Sequence, residues 1–297
     1  MQEEKSMNAT EMALAVRKQF GDGDEIRDAG LTTPDDVERF DGIIYGDVDK
    51  NWQSLDVYRP KNKKGKLPVI VSIHGGGWVY GDKERYQFYT MSLAQRGFAV
   101  VNFSYRLAPE YIYPASFEDC SAVCTWMQAN AEKYGFDMDH VFGVGDSAGA
   151  HMLSVFAGAL TSDKPVPYKL PENFSFKAIA LNCGVYDFAN HDLGSTEGLM
   201  EALFGKVPDE EDYDEITAVN YVTEKYPPCF IMTCPGDFLF HAPEVLVKAL
   251  KENKVPFFYH VYGNAEKPLA HVFHVNMKEA EGKVCNDDEC AFFARFC

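Results

Sequence analysis

Residues 140–160 read HVFGVGDSAGAHMLSVFAGAL. The apolar run 140–144 has the length and composition of a buried strand. The stretch 148–160 carries enough apolar residues at helical spacing for a buried helix. Between them stands Gly145-Asp146-Ser147-Ala148-Gly149. A serine between strand and helix, with glycine two before and two after, fits one sharp turn that lifts the hydroxyl above the sheet edge. The glycines let strand and helix approach closely. The helix that follows aims its N-terminal N–H groups and dipole at the same place, which favours a developing anion.

Outward from this turn, short β-type runs alternate with longer helical ones. Strands are expected at 42–45, 54–58, 67–73, 98–105, 140–144, 176–182, 229–233 and 256–261. Helices are expected at 83–96, 117–134, 148–160, 243–253 and within 274–296. PVIVSI and FAVVNF are continuous apolar runs, as strands covered on both faces require. The first two strands, joined by a short polar connection, are expected to start the sheet antiparallel. The rest reads as strand–helix–strand units, hence an α/β fold of layers. Two stretches break the alternation. Residues 1–40 are polar and helical. Residues 184–225 separate two strands by more than a usual crossover, contain a short helical pattern at 196–204, and include the acidic PDEEDYDE. Long insertions in compact domains are often lids, so both are read as a cap over the carboxyl ends of the strands.

A second motif, His74-Gly75-Gly76-Gly77-Trp78, follows the strand at 67–73. Consecutive glycines there leave backbone N–H groups free to face developing negative charge. His74 reads as a hydrogen-bonding residue that orients the loop. A serine hydroxyl needs a base, and the base needs an orienting carboxylate, in the order Ser, acid, His on this fold. Asp237 stands in the turn after 229–233. His271 follows the loop after 256–261, with His274 as the remaining alternative. His74, His140, His151 and His191 precede the acid, His241 lies only four residues beyond it, and His260 lies inside a strand. Asp187, Asp214 and Glu224 fall in the expected cap or before a strand, and Asp146 reads as structural beside the turn.

Composition bounds the partners. The 297 residues carry 28 Lys plus Arg against 45 Asp plus Glu, a net charge of −17. A basic face for nucleic acid or anionic membrane is not expected from such a balance. The N-terminus is acidic and its apolar run 12–16 is cut by Arg17 and Lys18, unlike a secretory signal. No segment approaches the ~20 apolar residues of a membrane span. A cytoplasmic location is the expectation. The eight cysteines form no CxxC pair and read as reduced, mostly buried thiols, with no metal and no cofactor implied.

HGGGW, then Tyr105-Arg106-Leu107-Ala108-Pro109-Glu110, then GDSAG resemble the hormone-sensitive-lipase-like esterases of the α/β-hydrolase fold, from about residue 40 to the end. Asp237 in GDFL and His271 in HVF match the family's acid and base. The resemblance implies a mostly parallel eight-stranded sheet with helices on both faces. A cap would be built from 1–40 and the insertion near 184–225, with 41–297 as the catalytic domain. It implies backbone N–H groups of Gly76, Gly77 and Ala148 as oxyanion donors, and hydrolysis of short-chain carboxylic esters with Ser147, His271 and Asp237 as the catalytic residues. Ser104 stands where the family usually has Asp, and Phe238 and Val272 also depart from its pattern. Trp78, Tyr80 and Phe238 are expected in the substrate pocket, Trp78 narrowing the acyl side. Phe204 and Tyr213 lie in the expected cap. Aromatic faces suit sugars, so an acetylated oligosaccharide is an expected substrate. An amidase or peptidase using the same residues is the alternative. A non-catalytic receptor on this fold, of the gibberellin-receptor kind, would lack the catalytic histidine. The expected partner is a small-molecule ester, with a homo-oligomer or an oligomeric scaffold as the assembly question.

Overall fold

The computed structural model describes residues 8–188 and 197–297. Residues 1–7 and 189–196 of the expected cap, with His191, lie outside the described residues. Eight strands form one sheet: β1 Val37–Ile44, β2 Ser54–Pro60, β3 Leu67–Ile73, β4 Ala99–Phe103, β5 Phe136–Asp146, β6 Ala178–Asn182, β7 Cys229–Thr233 and β8 Phe257–Val261. Their order is β1-β2-β4-β3-β5-β6-β7-β8. β2 runs antiparallel to β1 and β4, and every other pairing is parallel. The expected boundary at residue 40 falls inside β1, which starts at Val37. In its sequence VERFDGII three of eight residues are charged and only Val37 is buried, so the apolar signal marks only its end.

The sheet is covered on both faces because its strands are apolar on both. Val69, Val71, Ile73, Val101, Phe103, Ile179 and Leu181 bury against one layer. Ile70, Val100, Ala178 and Ala180 bury against the other. The first layer is α3 (Ala115–Tyr134), α4 (Ala148–Ala159) and α7 (Pro243–Glu252). The second is α2 (Lys83–Gln95) and α8 (Ala280–Phe293). Each buried Val, Leu or Ile contributes about 1.5–3 kcal/mol against exposure. Every residue of α4 is buried, which fits a helix apolar on all sides. It runs back through the core directly from the serine turn.

Above the carboxyl ends lie α1 (Ala9–Asp28), α5 (Glu197–Phe204) and α6 (Glu210–Ile216). α1 starts at a capping box, with the Asn8 side chain accepting from Glu11 N–H and Glu11 accepting in return. α1 packs against α5. Arg17 ties α1 down: Nε donates to the Val79 carbonyl at 2.7 Å, Nη2 to the Ala108 carbonyl at 3.0 Å, and both Nη atoms to the Glu110 carboxylate. Glu110 therefore works as an anchor for α1, and Arg106 in the same string holds buried Asp119. Among the described residues no helix is long and apolar enough to cross a membrane.

Candidate active site

Ser147 sits between β5 and α4 at φ 51° and ψ −121°. A non-glycine residue at positive φ is strained, and here the surroundings hold it. Its N–H donates to the Asn182 carbonyl on β6 at 2.9 Å, and its carbonyl accepts from His151 N–H at 3.0 Å. The glycine at 149 is required by close approach: a Cβ there would lie 2.0 Å from the Ile73 carbonyl oxygen.

Asp237 and His271 come from the turns after β7 and β8. A parallel bridge between Gly236 and Ala270, with Gly236 N–H donating to the Pro268 carbonyl at 2.7 Å, clamps those turns together. His271 Nδ1 and Asp237 Oδ1 lie 2.7 Å apart, and His271 Nε2 and Ser147 Oγ 2.9 Å. Asp237 Oδ1 also accepts from Leu239 N–H at 2.8 Å. Burial pushes the Asp237 carboxyl up, but the His271 hydrogen bond and charge outweigh it and hold the group below its ordinary value. The structure brings His271, and not His274, to Ser147. His274 is fully buried, with Nε2 3.3 Å from Asn182 Nδ2, and burial pushes it down to about 3, so it is neutral. Asp214 pairs with Lys164 at 2.7 Å.

The glycine loop after β3 is held from behind. His74 is fully buried, stacks on Tyr105 at 4.0 Å between ring centroids, and is pushed down to about 4 by burial. It stays neutral and structural. Gly76 lies at φ 120°, where a Cβ would meet the Tyr80 carbonyl oxygen at 2.1 Å. Among the described residues, none of the N–H groups of Gly76, Gly77 and Ala148 has a protein acceptor. Asp146 is buried and accepts from the Tyr86 hydroxyl at 2.7 Å, and that hydroxyl accepts from Gly75 N–H at 3.0 Å. Burial raises Asp146 to about 6 despite the Tyr86 bond.

Ser147 and His271 open into a cavity of about 320 Å³ whose walls include Gly76, Tyr80, Phe238 and, from α1, Phe20, Asp24 and Arg27. Tyr80 and Phe238, two of the residues read as pocket candidates, both line this cavity. Phe238 is 66% exposed, and its ring centroid lies 4.4 Å from that of His271. Tyr80 donates to Asp24 at 2.8 Å, and Asp24 pairs with Arg27. Trp78 does not line this cavity. It is buried, its Nε1 donates to His151 Nδ1 at 3.1 Å, and it packs near Phe188. Its partner His151 is neutral, pushed down to about 4 by burial, so the indole N–H has a ready acceptor in the core. Phe204 packs on Tyr113, and Tyr213 on Phe188. Phe20, Asp24, Arg27 and Tyr86 went unread in the sequence, because nothing local marks a residue whose partner is some sixty positions away.

Fold and site together define an α/β-hydrolase with a serine, a histidine and an aspartate in one hydrogen-bonded chain at the floor of a cavity that α1 helps to wall. The chain belongs to the BD-FAE family, whose model matches residues 55–242. It is similar to versiconal hemiacetal acetate esterase of Dothistroma septosporum, with 30% identity over 232 residues that cover 72% of this chain and 69% of that one. Esterase LipC of Mycobacterium tuberculosis is 29% identical over 200 residues, 64% of this chain and 49% of the relative, so the chain spans about half of that protein. Esterase B of Lactobacillus Rhamnosis superposes with a TM-score of 0.87 at 27% identity, covering 97% of this chain and 96% of the other. A further structure of esterase B is inhibited by a C4-C4 tributyrin phosphonate. The likeness to hormone-sensitive-lipase-like enzymes thus holds, and the protein is a carboxylic ester hydrolase.

Proposed function

We propose that the protein hydrolyses short-chain acyl esters, acetyl to butyryl, through an acyl-enzyme on Ser147. Ser147 Oγ attacks the ester carbonyl while His271 Nε2 takes its proton, and Asp237 keeps the imidazole in register and stabilises its cation. The tetrahedral oxygen is received by the N–H groups of Gly76, Gly77 and Ala148, each contributing roughly 3 kcal/mol to the barrier. His271 returns the proton to the leaving alcohol, then activates water to release the acid. The observation that carries this reading is the unbroken Ser147–His271–Asp237 chain at 2.9 and 2.7 Å.

The short acyl range is supported by the cavity of about 320 Å³, at the small end of the roughly 300–1,000 Å³ of ligand sites. The acetate ester named for the fungal relative and the C4 inhibitor of esterase B point the same way. The rings of Phe20, Tyr80 and Phe238 at the mouth suit the apolar face of a sugar, which favours acetylated oligosaccharides as the natural class. The test is a panel of p-nitrophenyl esters from acetate to decanoate, with acetylated xylo- and manno-oligosaccharides alongside. Acetate and butyrate should dominate and the sugar acetates should be cleaved. Decanoate as the best substrate would refute the chain-length reading. Ser147→Ala should leave only background hydrolysis, and turnover at the unmodified rate in that variant would remove Ser147 as nucleophile.

A further inference from the structure

Directly behind the candidate catalytic acid lies a second group of chemically capable side chains. Cys183 directly follows β6, Cys234 directly follows the neighbouring β7, and Asp237 comes three residues later. The pairing of Asn182 with Met232 fixes these strand ends side by side. The two sulfur atoms and a carboxylate oxygen all lie within 4.8 Å of one another, and all three residues are buried. Cys183 takes φ 51° there, with its N–H held by the Met232 carbonyl at 2.9 Å. No other group of three such donors occurs among the described residues.

We infer that Cys183, Cys234 and Asp237 form a site for a thiophilic divalent d10 cation, zinc or cadmium, whose binding stops hydrolysis. The inhibitory half rests on the proposed role of Asp237. Metal–sulfur bonds of about 2.3 Å in tetrahedral geometry place two sulfurs about 3.8 Å apart, so closing the site takes a movement of about 1 Å at most. Two thiolates and one carboxylate are a soft set that selects zinc or cadmium over magnesium or calcium. On binding, two S–H bonds break, two sulfur–metal bonds form, and both protons leave to solvent. The carboxylate adds the third ligand, and no oxidant takes part. Affinity therefore rises with pH. The Asp237 carboxylate already accepts from His271 at 2.7 Å. Ligation turns the carboxylate toward the two sulfurs and weakens the hydrogen bond that holds the imidazole in register, so the base loses its orienting partner. Leu269 and Ala270 cover the site, their carbonyls accepting from the Cys234 thiol at 3.5 and 3.3 Å. Entry thus waits on opening of that turn, and inhibition should develop with time.

The test uses the full chain carrying Cys297→Ser, which removes the exposed thiol. It is incubated with cadmium and followed by thiolate-to-cadmium charge-transfer absorption, by cadmium-113 NMR and by p-nitrophenyl butyrate turnover relative to its own metal-free rate. One cadmium with a two-thiolate resonance and a time-dependent loss of at least tenfold, reversed by chelator, is expected. Adding Cys183→Ser and Cys234→Ser should abolish both the signal and the sensitivity. Equal sensitivity in that variant, or a resonance from oxygen and nitrogen ligands alone in the parent, would overturn the site. The parent's resonance decides the matter even if the serine variant fails to fold. Asp237→Asn, assayed without metal, separates the two readings. An unimpaired rate there would refute the role of Asp237 and with it the inhibition, while the spectrum still decides the binding.

Discussion

Replacing Glu289 by glutamine should make the fold less sensitive to pH between about 5 and 8. Glu289 lies on α8, fully buried beneath the serine turn. The Tyr89 hydroxyl donates to its Oε1 at 3.0 Å and Asn182 Nδ2 to its Oε2 at 2.7 Å. Arg96 and Asp146 act on it from the end of α2 and from β5, and the adjacent His274 is neutral. Burial, the largest cause, pushes its carboxyl from an ordinary 4.5 up to about 7, against the pull of the Asn182 and Tyr89 bonds. Because the folded value is raised, the folded state holds this proton more tightly than the unfolded chain. That contribution is present in full below about 4.5 and is lost as pH rises through about 7. Between about pH 5 and 8 the loss integrates to about 2–3 kcal/mol, from 1.36 kcal/mol per unit. Glutamine keeps one acceptor and one donor in the shape of the protonated acid, and has no proton to lose. Urea unfolding of both forms at the two pH values reads the effect. The variant should be close to wild type at pH 5 and about 2–3 kcal/mol more stable than it at pH 8. Asp146, raised to about 6 by burial, titrates in both forms. A stability difference that does not change with pH would refute the linkage.

Arg17→Met should loosen α1 without unfolding the sheet. It removes two hydrogen bonds to carbonyls and a half-exposed pair with Glu110, about 1–3 kcal/mol of docking once solvent screening of the pair is allowed for. Amide exchange should rise in residues 9–28 alone and KM should increase, whereas unchanged exchange in α1 would refute the anchoring role. Gly149→Ala should cost about 1–3 kcal/mol or more, since its Cβ would meet the Ile73 carbonyl at 2.0 Å. A thermal midpoint and a rate equal to wild type would show that strand and helix can separate there.

The strands were legible because both faces of the sheet are covered, and PVIVSI and FAVVNF therefore show no polar alternation to blur them. β1 shows the limit of that signal. As an edge strand with charged Glu38, Arg39 and Asp41 it offers only two clearly apolar residues at its end, and the strand was read five residues late. β5 starts four residues before its apolar run, because Leu67 and Pro68 pair with Phe136 and Asp137 ahead of an irregular step in the ladder. The site divides the same way. Ser147, Asp237 and His271 could be ordered along the chain because each stands at a strand's carboxyl end, where topology decides what converges. The walls could not. Phe20, Asp24, Arg27 and Tyr86 reach the site from helices, and Phe20, Asp24 and Tyr86 meet partners far away in sequence there. An aromatic residue beside the glycine loop could equally face cavity or core, and for Trp78 the neutral His151 acceptor decides for the core. The chemistry of this chain is thus written in local motifs, while the cavity walls depend on contacts that α1 makes far along the sequence and that no motif marks. Variants of α1 should accordingly change which ester is taken far more than how it is cleaved.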